Sequence, residues 1–263
     1  MNPYDFSLDL VKRAGIKLKD FHTEALVVSH KGSDSRDVLT NADTELNQFL
    51  REEIQEAFSG HAIYSEETGG EGLRSEWEWT LDPIDGSANF ARGIPHFAIC
   101  VGLLHKGVPV LGAVYNPLSN ELFSFEKGKG AFLNGMRIHA STITEPKEAY
   151  SLLRTGRKVE YLEWGVTTQR DFLTNMKKVG NFGSSALDLC FLAAKRVDVV
   201  AYGTLTTQDI AVAVGLVREA GGEVYTIDGE PVPLSAKSQL VVATATRELF
   251  DKIQPLLHKE LLP

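Results

Sequence analysis

The stretch Trp79-Thr80-Leu81-Asp82-Pro83-Ile84-Asp85-Gly86-Ser87-Ala88-Asn89-Phe90 decides how this chain is read. An apolar run, Trp79 to Leu81, delivers two carboxylates at the point where a strand is expected to stop. Asp82 and Asp85 flank Pro83, whose ring fixes φ, and Gly86-Ser87 follows at once. Two acidic groups on one stiff turn suit a hard cation. The backbone N–H groups of a Gly-Ser turn that opens a helix suit an anion. A divalent cation beside a phosphate cradle points to phosphoester hydrolysis. The same Asp-Pro-x-x-Gly pattern is also ordinary turn chemistry, with Pro presetting φ and Gly accepting φ > 0.

The surrounding chain weighs between these readings. Tyr64-Ser65-Glu66-Glu67-Thr68 lies upstream, and Gln208-Asp209-Ile210-Ala211 lies far downstream. Glu66-Glu67 followed by Asp82 through Phe90 resembles the signature of the inositol monophosphatase-like family of magnesium-dependent, lithium-sensitive phosphatases. Asp209-Ile210-Ala211 through Glu219-Ala220-Gly221-Gly222 matches that family's C-terminal signature in part. The resemblance runs from the Thr40 region to Gly222. It implies a layered α/β/α/β/α sandwich, with an antiparallel N-terminal sheet and a mixed C-terminal sheet.

The resemblance also implies a site. Glu66, Asp82 and the carbonyl of Ile84 hold a first metal, and Asp82 bridges to a second completed by Asp85 and Asp209. Two or three magnesium ions are expected. Glu66 is placed to help orient the attacking water. Gly86 and Ser87 cradle the phosphate through backbone N–H groups. Ser87 stands where the family usually has Thr, and its hydroxyl is expected to work with Asp43 in activating the water. The residue types support this on their own. The chain supplies acidic oxygens and no Cys/His cluster, so magnesium fits and zinc does not. Asp209 opens a helical pattern, where the dipole favours an anion, although a helix-start carboxylate is a common structural feature. Asp43 reads equally as the cap of the helix that follows it. Asn89 braces the turn. Glu67 is left outside the site, and Lys31 reads either as a family basic residue or as a solvated lysine.

The substrate-reading region departs from the family. Tyr202 stands where inositol-specific members carry an acid, and Gln208 replaces the Trp before the metal Asp. Gly180-Asn181-Phe182-Gly183 lacks the family's Arg. Ser184 and Ser185 match the polyol-contact region and offer hydroxyls. Tyr202 either packs against the substrate or belongs to the core.

Composition sets the outer bounds. With 263 residues and 43% hydrophobic content the chain can bury a large core, as one domain or two intimately packed halves. A formal charge of −8 argues against nucleic-acid binding driven by net charge. Cys100 and Cys190 lie in apolar runs and read as buried free thiols, which fits a reducing cytoplasm. Met1-Asn2-Pro3-Tyr4-Asp5 lacks the features of a signal peptide, and no apolar run is long enough for a membrane span.

Apolar spacing predicts helices over 4–21, 43–58, 167–177, 184–195, 208–220 and 248–258. Strands are expected at 62–64, 97–105, 108–115, 121–126, 197–202, 223–227 and 240–243, with a hairpin at Asn134-Gly135. Gly69-Gly70-Glu71-Gly72 reads as a mobile loop able to act as a lid. Residues 142–147 read as a linker. It divides a half at 1–141, carrying most metal ligands and the phosphate loop, from a half at 142–263 supplying Asp209 and substrate contacts. The expectation is a magnesium-dependent phosphomonoesterase acting on a small phosphorylated metabolite and forming a homodimer. Inositol phosphate, fructose 1,6-bisphosphate, histidinol phosphate and nucleotide 3'-phosphate remain open as substrates, as does a non-catalytic regulatory protein on this scaffold.

Overall fold

Two amphipathic helices open the chain, α1 (Pro3–Phe21) and α2 (Asn41–Ala57). Phe6, Leu10, Ala14 and Leu18 of the first, and Leu46, Leu50 and Ile54 of the second, turn one buried stripe inward. Thr40 caps α2 in a reciprocal capping box with Asp43. The computed structural model describes residues 2–21, 28–30, 38–71, 75–155, 159–206, 210–234 and 238–262. Within them β1 (Val28–His30) pairs antiparallel with β2 (Val38–Thr40). Lys31 and the rest of 31–37 lie outside the described residues.

The strand-rich middle builds an eight-stranded sheet. Its strands are β3 (Ala62–Ser65), β4 (Gly69–Glu71), β5 (Trp77–Asp85), β6 (Ala98–His105), β7 (Val108–Asn116), β8 (Glu121–Glu126), β9 (Gly130–Leu133) and β10 (Met136–Ile138). Their order is β10-β9-β8-β7-β6-β5-β3-β4. All neighbours run antiparallel except β3 and β5, so this sheet contains one parallel pair. The expected glycine loop is in part a strand, because Gly69 pairs back onto Ser65. Gly72 lies outside the described residues. A four-residue helix, α3 (Ser87–Phe90), follows β5.

The remainder forms a five-stranded mixed sheet and four helices: β11 (Tyr150–Arg154), α4 (Leu162–Asn175), β12 (Lys178–Gly180), α5 (Ser185–Ala193), β13 (Val199–Thr206), α6 (Ala211–Glu219), β14 (Glu223–Tyr225), β15 (Ser238–Thr244) and α7 (Arg247–Ile253). The order is β12-β11-β13-β15-β14, with β11, β12 and β13 parallel. α4 starts five residues before the expected 167, and α7 is shorter than expected. Pro255 explains the second difference: it cannot continue the i→i−4 ladder, and the chain passes into 3-10 turns.

Three apolar clusters define the layers. One joins α1 and α2 to the large sheet. A second fills the space between the sheets with α5 and α6. A third joins α4 and α7 to the far face of the small sheet. The result is the α/β/α/β/α sandwich. The middle layer matters most for the site, because it carries α5 and α6 against β6, β7 and β8. A Cβ on Gly215 of α6 would stand 2.2 Å from the Phe125 ring, so only glycine permits this approach. The end of α6 is fixed as well, since Glu219 accepts from the N–H groups of Gly128 (2.9 Å) and Gly130 (3.0 Å).

Gly215→Ala is therefore expected to destabilise the fold by about 1–3 kcal/mol, since the Phe125 ring is buried in the packed cluster between the sheets. The midpoint of urea unfolding, compared with that of Gly60→Ala, whose added Cβ meets nothing within 4 Å, checks this.

Candidate active site

β5 does not stop at Leu81 but runs on to Asp85. Its register against β6 shifts there: Asp82 faces Cys100 and Asp85 faces Ala98. Three steps on β5 thus match two on β6, which is a β-bulge. Pro83 supplies the reason, because it has no N–H to give the ladder. The extra residue leaves Asp82 and Asp85 on one face, where two residues without a bulge partner would have alternated. That face is the one occupied by Ala98 and Cys100, turned toward α5 and α6. Asp82 Oδ1 also accepts from Ile84 N–H at 3.0 Å, which stiffens the turn. Both carboxylates are buried.

Glu66 comes alongside through the parallel pair. Ser65 lies in register with Leu81, and Glu66 N–H donates to the Leu81 carbonyl at 3.1 Å. Its residue is exposed in the turn after β3, and its charge helps push Asp85 up. Glu67 is half-buried beside it, its N–H on Ser65 Oγ at 3.3 Å.

The turn after Asp85 needs a glycine. Gly86 has φ +93, and a Cβ there would lie 3.2 Å from the His96 carbonyl and 3.3 Å from Ser184 Cβ. The first N–H groups of α3 have no intrahelical acceptor and are available to an anion. Ser87 Oγ lies 2.9 Å from Asp43 Oδ1 and 2.9 Å from the Ile84 carbonyl. Asp43, itself buried, is not the N-cap expected from the sequence but the N3 residue of a capping box whose N-cap is Thr40. One oxygen accepts from Thr40 N–H at 2.7 Å, and the other faces the Ser87 hydroxyl.

Asp85 is held from the opposite half. Oδ1 accepts from Ser185 N–H (3.2 Å) and Ser185 Oγ (2.8 Å). Oδ2 accepts from Ala186 N–H at 2.9 Å and from Ser184 Oγ. Asp85 thus sits as an anion at the start of α5. Burial still pushes its carboxyl above the usual carboxylate range, against the pull of these four donors, and Glu66 adds to the rise. Both serine hydroxyls expected at the substrate are committed to Asp85 instead.

A second tie lies beside it. Asn89 Nδ2 is 2.7 Å from the carbonyls of His96 and of Phe182. His96 Nε2 is 2.9 Å from Asp188 Oδ1, and the Tyr202 hydroxyl donates to Asp188 Oδ2. Tyr202 is 1% exposed. Burial, with the charge of Asp188, raises its hydroxyl well above the usual phenol range, so it stays a donor. Of the two readings left open in the sequence, the structure places Tyr202 in the core. His96 and Asp188 escaped the sequence reading. Their signal was Asp188 itself, one carboxylate in the otherwise apolar Ala186-Leu187-Asp188-Leu189-Cys190.

The donor set suits a hard cation. Asp82, Asp85, Glu66 and the Ile84 carbonyl offer only oxygen, and two buried carboxylates with a third charge nearby repel one another unless a cation intervenes. Cys100 and Cys190 are buried, and their thiols are pushed far up by burial first and by these carboxylates second, so they offer no thiolate. Among the described residues no three His, Cys, Asp or Glu side chains already converge on one point. Asp209 and Gln208 lie outside the described residues.

A model of the Inositol monophosphatase family matches residues 3–262. Nus factor SuhB of Pasteurella multocida is 35% identical over 233 residues, covering 86% of each chain. Inositol monophosphatase 3 of Solanum lycopersicum is 32% identical over 257 residues, covering 94% of each. The solved structure of the Thermotoga maritima IMPase superposes with a TM-score of 0.88 at 29% identity, over 99% of this chain and 98% of that one.

Tyr202→Phe leaves Asp188 short of one buried donor, and is expected to cost about 1–3 kcal/mol of stability. Chemical unfolding of the two proteins, side by side, measures it.

Proposed function

We propose that this chain, which belongs to the inositol monophosphatase family, is a magnesium-dependent phosphomonoesterase acting on a small polar phosphate. The observation that carries the reading is the bulge that sets buried Asp82 and Asp85 on one face beside the Gly86–Ser87 turn. Glu66, Asp82, Asp85, Asp209 and the Ile84 carbonyl are the proposed ligands, with Asp85 exchanging one of its serine hydroxyl donors for the metal. Magnesium bound there supplies positive charge that stabilises the developing negative charge and makes water a better nucleophile. The rest falls to the chain. Backbone N–H groups at Gly86, Ser87 and Ala88 hold the phosphate, and Gly86 lets it approach closely. The Ser87 hydroxyl, 2.9 Å from Asp43 Oδ1, orients the attacking water and relays its proton to Asp43 as the new P–O bond forms. The ester P–O bond breaks opposite, the leaving oxygen takes up a proton from solvent water, and Asp43 returns its proton to solvent. Asn89 and His96 keep the turn against α5.

A regulatory role is the second reading, because several relatives bear the name Nus factor SuhB. Among the described residues no helix is long and apolar enough to cross a membrane. A cytoplasmic setting and a homodimer are proposed with the enzyme, the dimer being checked by sedimentation. Lithium is expected to inhibit at millimolar concentration.

Phosphate release across inositol, histidinol, fructose and adenosine phosphates tests the main reading. Asp82→Asn and Ser87→Ala are each expected to lower kcat by about 100-fold or more with the fold retained. Undiminished turnover in Asp82→Asn would sink the metal-centred reading. No turnover on any ester by folded, magnesium-loaded protein would favour the regulatory one.

A further inference from the structure

The phosphate end of the site is accounted for, but the side that faces the rest of the substrate is not. β11, β12 and β13 run parallel, so their C-terminal ends, at Arg154, Gly180 and Thr206, share one edge of the small sheet. Ligands of such sheets bind outside the carboxyl ends of the strands. α5 begins at this same edge, just after β12, and its first residues hold Asp85. A leaving group would therefore extend from Gly86–Ser87 across the start of α5 toward the ends of β11 and β13.

Arg154 lies there, and its direction is fixed by strand alternation. Leu152 packs in the cluster between the sheets, and Leu153 packs in the outer cluster with α4. Thr155 again faces α4, its Cγ2 lying 2.4 Å from where a Cβ of Gly165 would stand. Arg154 thus projects to the inner face, with Leu152 and with Tyr202, its partner in register. It is half-buried. The Tyr202 hydroxyl feels both the negative charge of Asp85 and the positive charge of Arg154, which places the guanidinium within electrostatic reach of the site.

The hydroxyl donors nearest a polyol already have acceptors, although each oxygen can still accept. The Ser184 and Ser185 hydroxyls donate to Asp85, and the Tyr202 hydroxyl donates to Asp188. The acid expected at position 202 for inositol is absent. A guanidinium has five donors, no acceptor and a permanent charge, and its planar fork matches a carboxylate or a phosphate. We propose that Arg154 is a specificity-determining residue that reads a second anionic group, a carboxylate or a second phosphate, on the leaving-group side of the substrate. This rests on the phosphomonoesterase reading above.

Matched ester pairs test it. The pairs are fructose 1,6-bisphosphate against fructose 1-phosphate, and 2-phosphoglycerate against glycerol 2-phosphate. The readout is the ratio of kcat/KM for the more anionic member to that for its partner. Wild type is expected to favour the anionic member of at least one pair. That ratio is expected to fall about 10–100-fold in Arg154→Ala, through KM more than kcat, and to recover in part in Arg154→Lys. Calorimetric binding of the same pairs reads the preference without turnover, so an inactive protein still decides the question. An equal ratio in wild type and Arg154→Ala overturns the proposal, as does a wild-type preference for the less anionic member of both pairs. Wild type and Asp82→Asn separate the two ideas. If folded, magnesium-loaded wild type turns over no ester, the phosphatase reading fails whatever Arg154 does. If Asp82→Asn turns over esters as well as wild type, only the metal-centred mechanism fails.

Discussion

Asp85 is the residue on which the two halves of this fold agree. It arrives on a strand of the large sheet and accepts four hydrogen bonds from the start of a helix that belongs to the small one. A buried carboxylate is costly unless its lone pairs are occupied, and here each oxygen has two donors. The same contact fills N-terminal N–H groups of α5 that would otherwise lack acceptors. Neither group is satisfied without the other, so the contact fixes where α5 sits above the Gly86 turn. Asn89 and the His96–Asp188–Tyr202 chain repeat the tie a few ångströms away, again with one partner from each half. The geometry of the phosphate cradle is therefore a property of the interface between the sheets and not of the turn alone.

Much of this was legible in the sequence because the decisive features are local. Pro83 and Gly86 dictate backbone conformation within one turn, and the acidic spacing around them is a chemical pattern. The apolar stripes of α1 and α2 follow from helical period. What the sequence concealed is mostly non-local. The strand was expected to end at Leu81, since Asp-Pro is a strong turn signal. The ladder of β6 instead continues past it, and Pro83 becomes a bulge. Tertiary pairing overrode a local preference there. Gly69–Glu71 likewise became an edge strand because β3 offered it a partner.

The serines show the same limit at finer grain. Ser184 and Ser185 carry the small hydroxyls expected of a polyol site, and sequence alone says nothing about where those hydroxyls point. Their partner is ninety-nine or more residues away. Asp43 is the opposite case. The sequence read it as the helix cap; the structure makes Thr40 the cap and Asp43 its N3 partner, one oxygen on the Thr40 N–H and the other facing Ser87, which leaves room for the proposed proton-accepting role.

The balance of charge across the site follows from these placements. Asp82 and Asp85 share one buried face, with the charge of Glu66 acting on Asp85, and on the proposed reading a cation would relieve their repulsion. Position 202 carries no acid to hydrogen-bond a neutral sugar, and Asp188, which accepts from the Tyr202 hydroxyl, is 1% exposed. With no acid at position 202, the proposal has the inward-facing Arg154 attract an anionic leaving group at this edge. A guanidinium left half-buried beside a neutral polyol would lose hydration without a matching acceptor, whereas a carboxylate or phosphate returns both charge and hydrogen bonds. On the proposed reading, selectivity would come from opposite fields at the two ends of the substrate site: acidic groups that would hold the metal, and a guanidinium that would orient the leaving group.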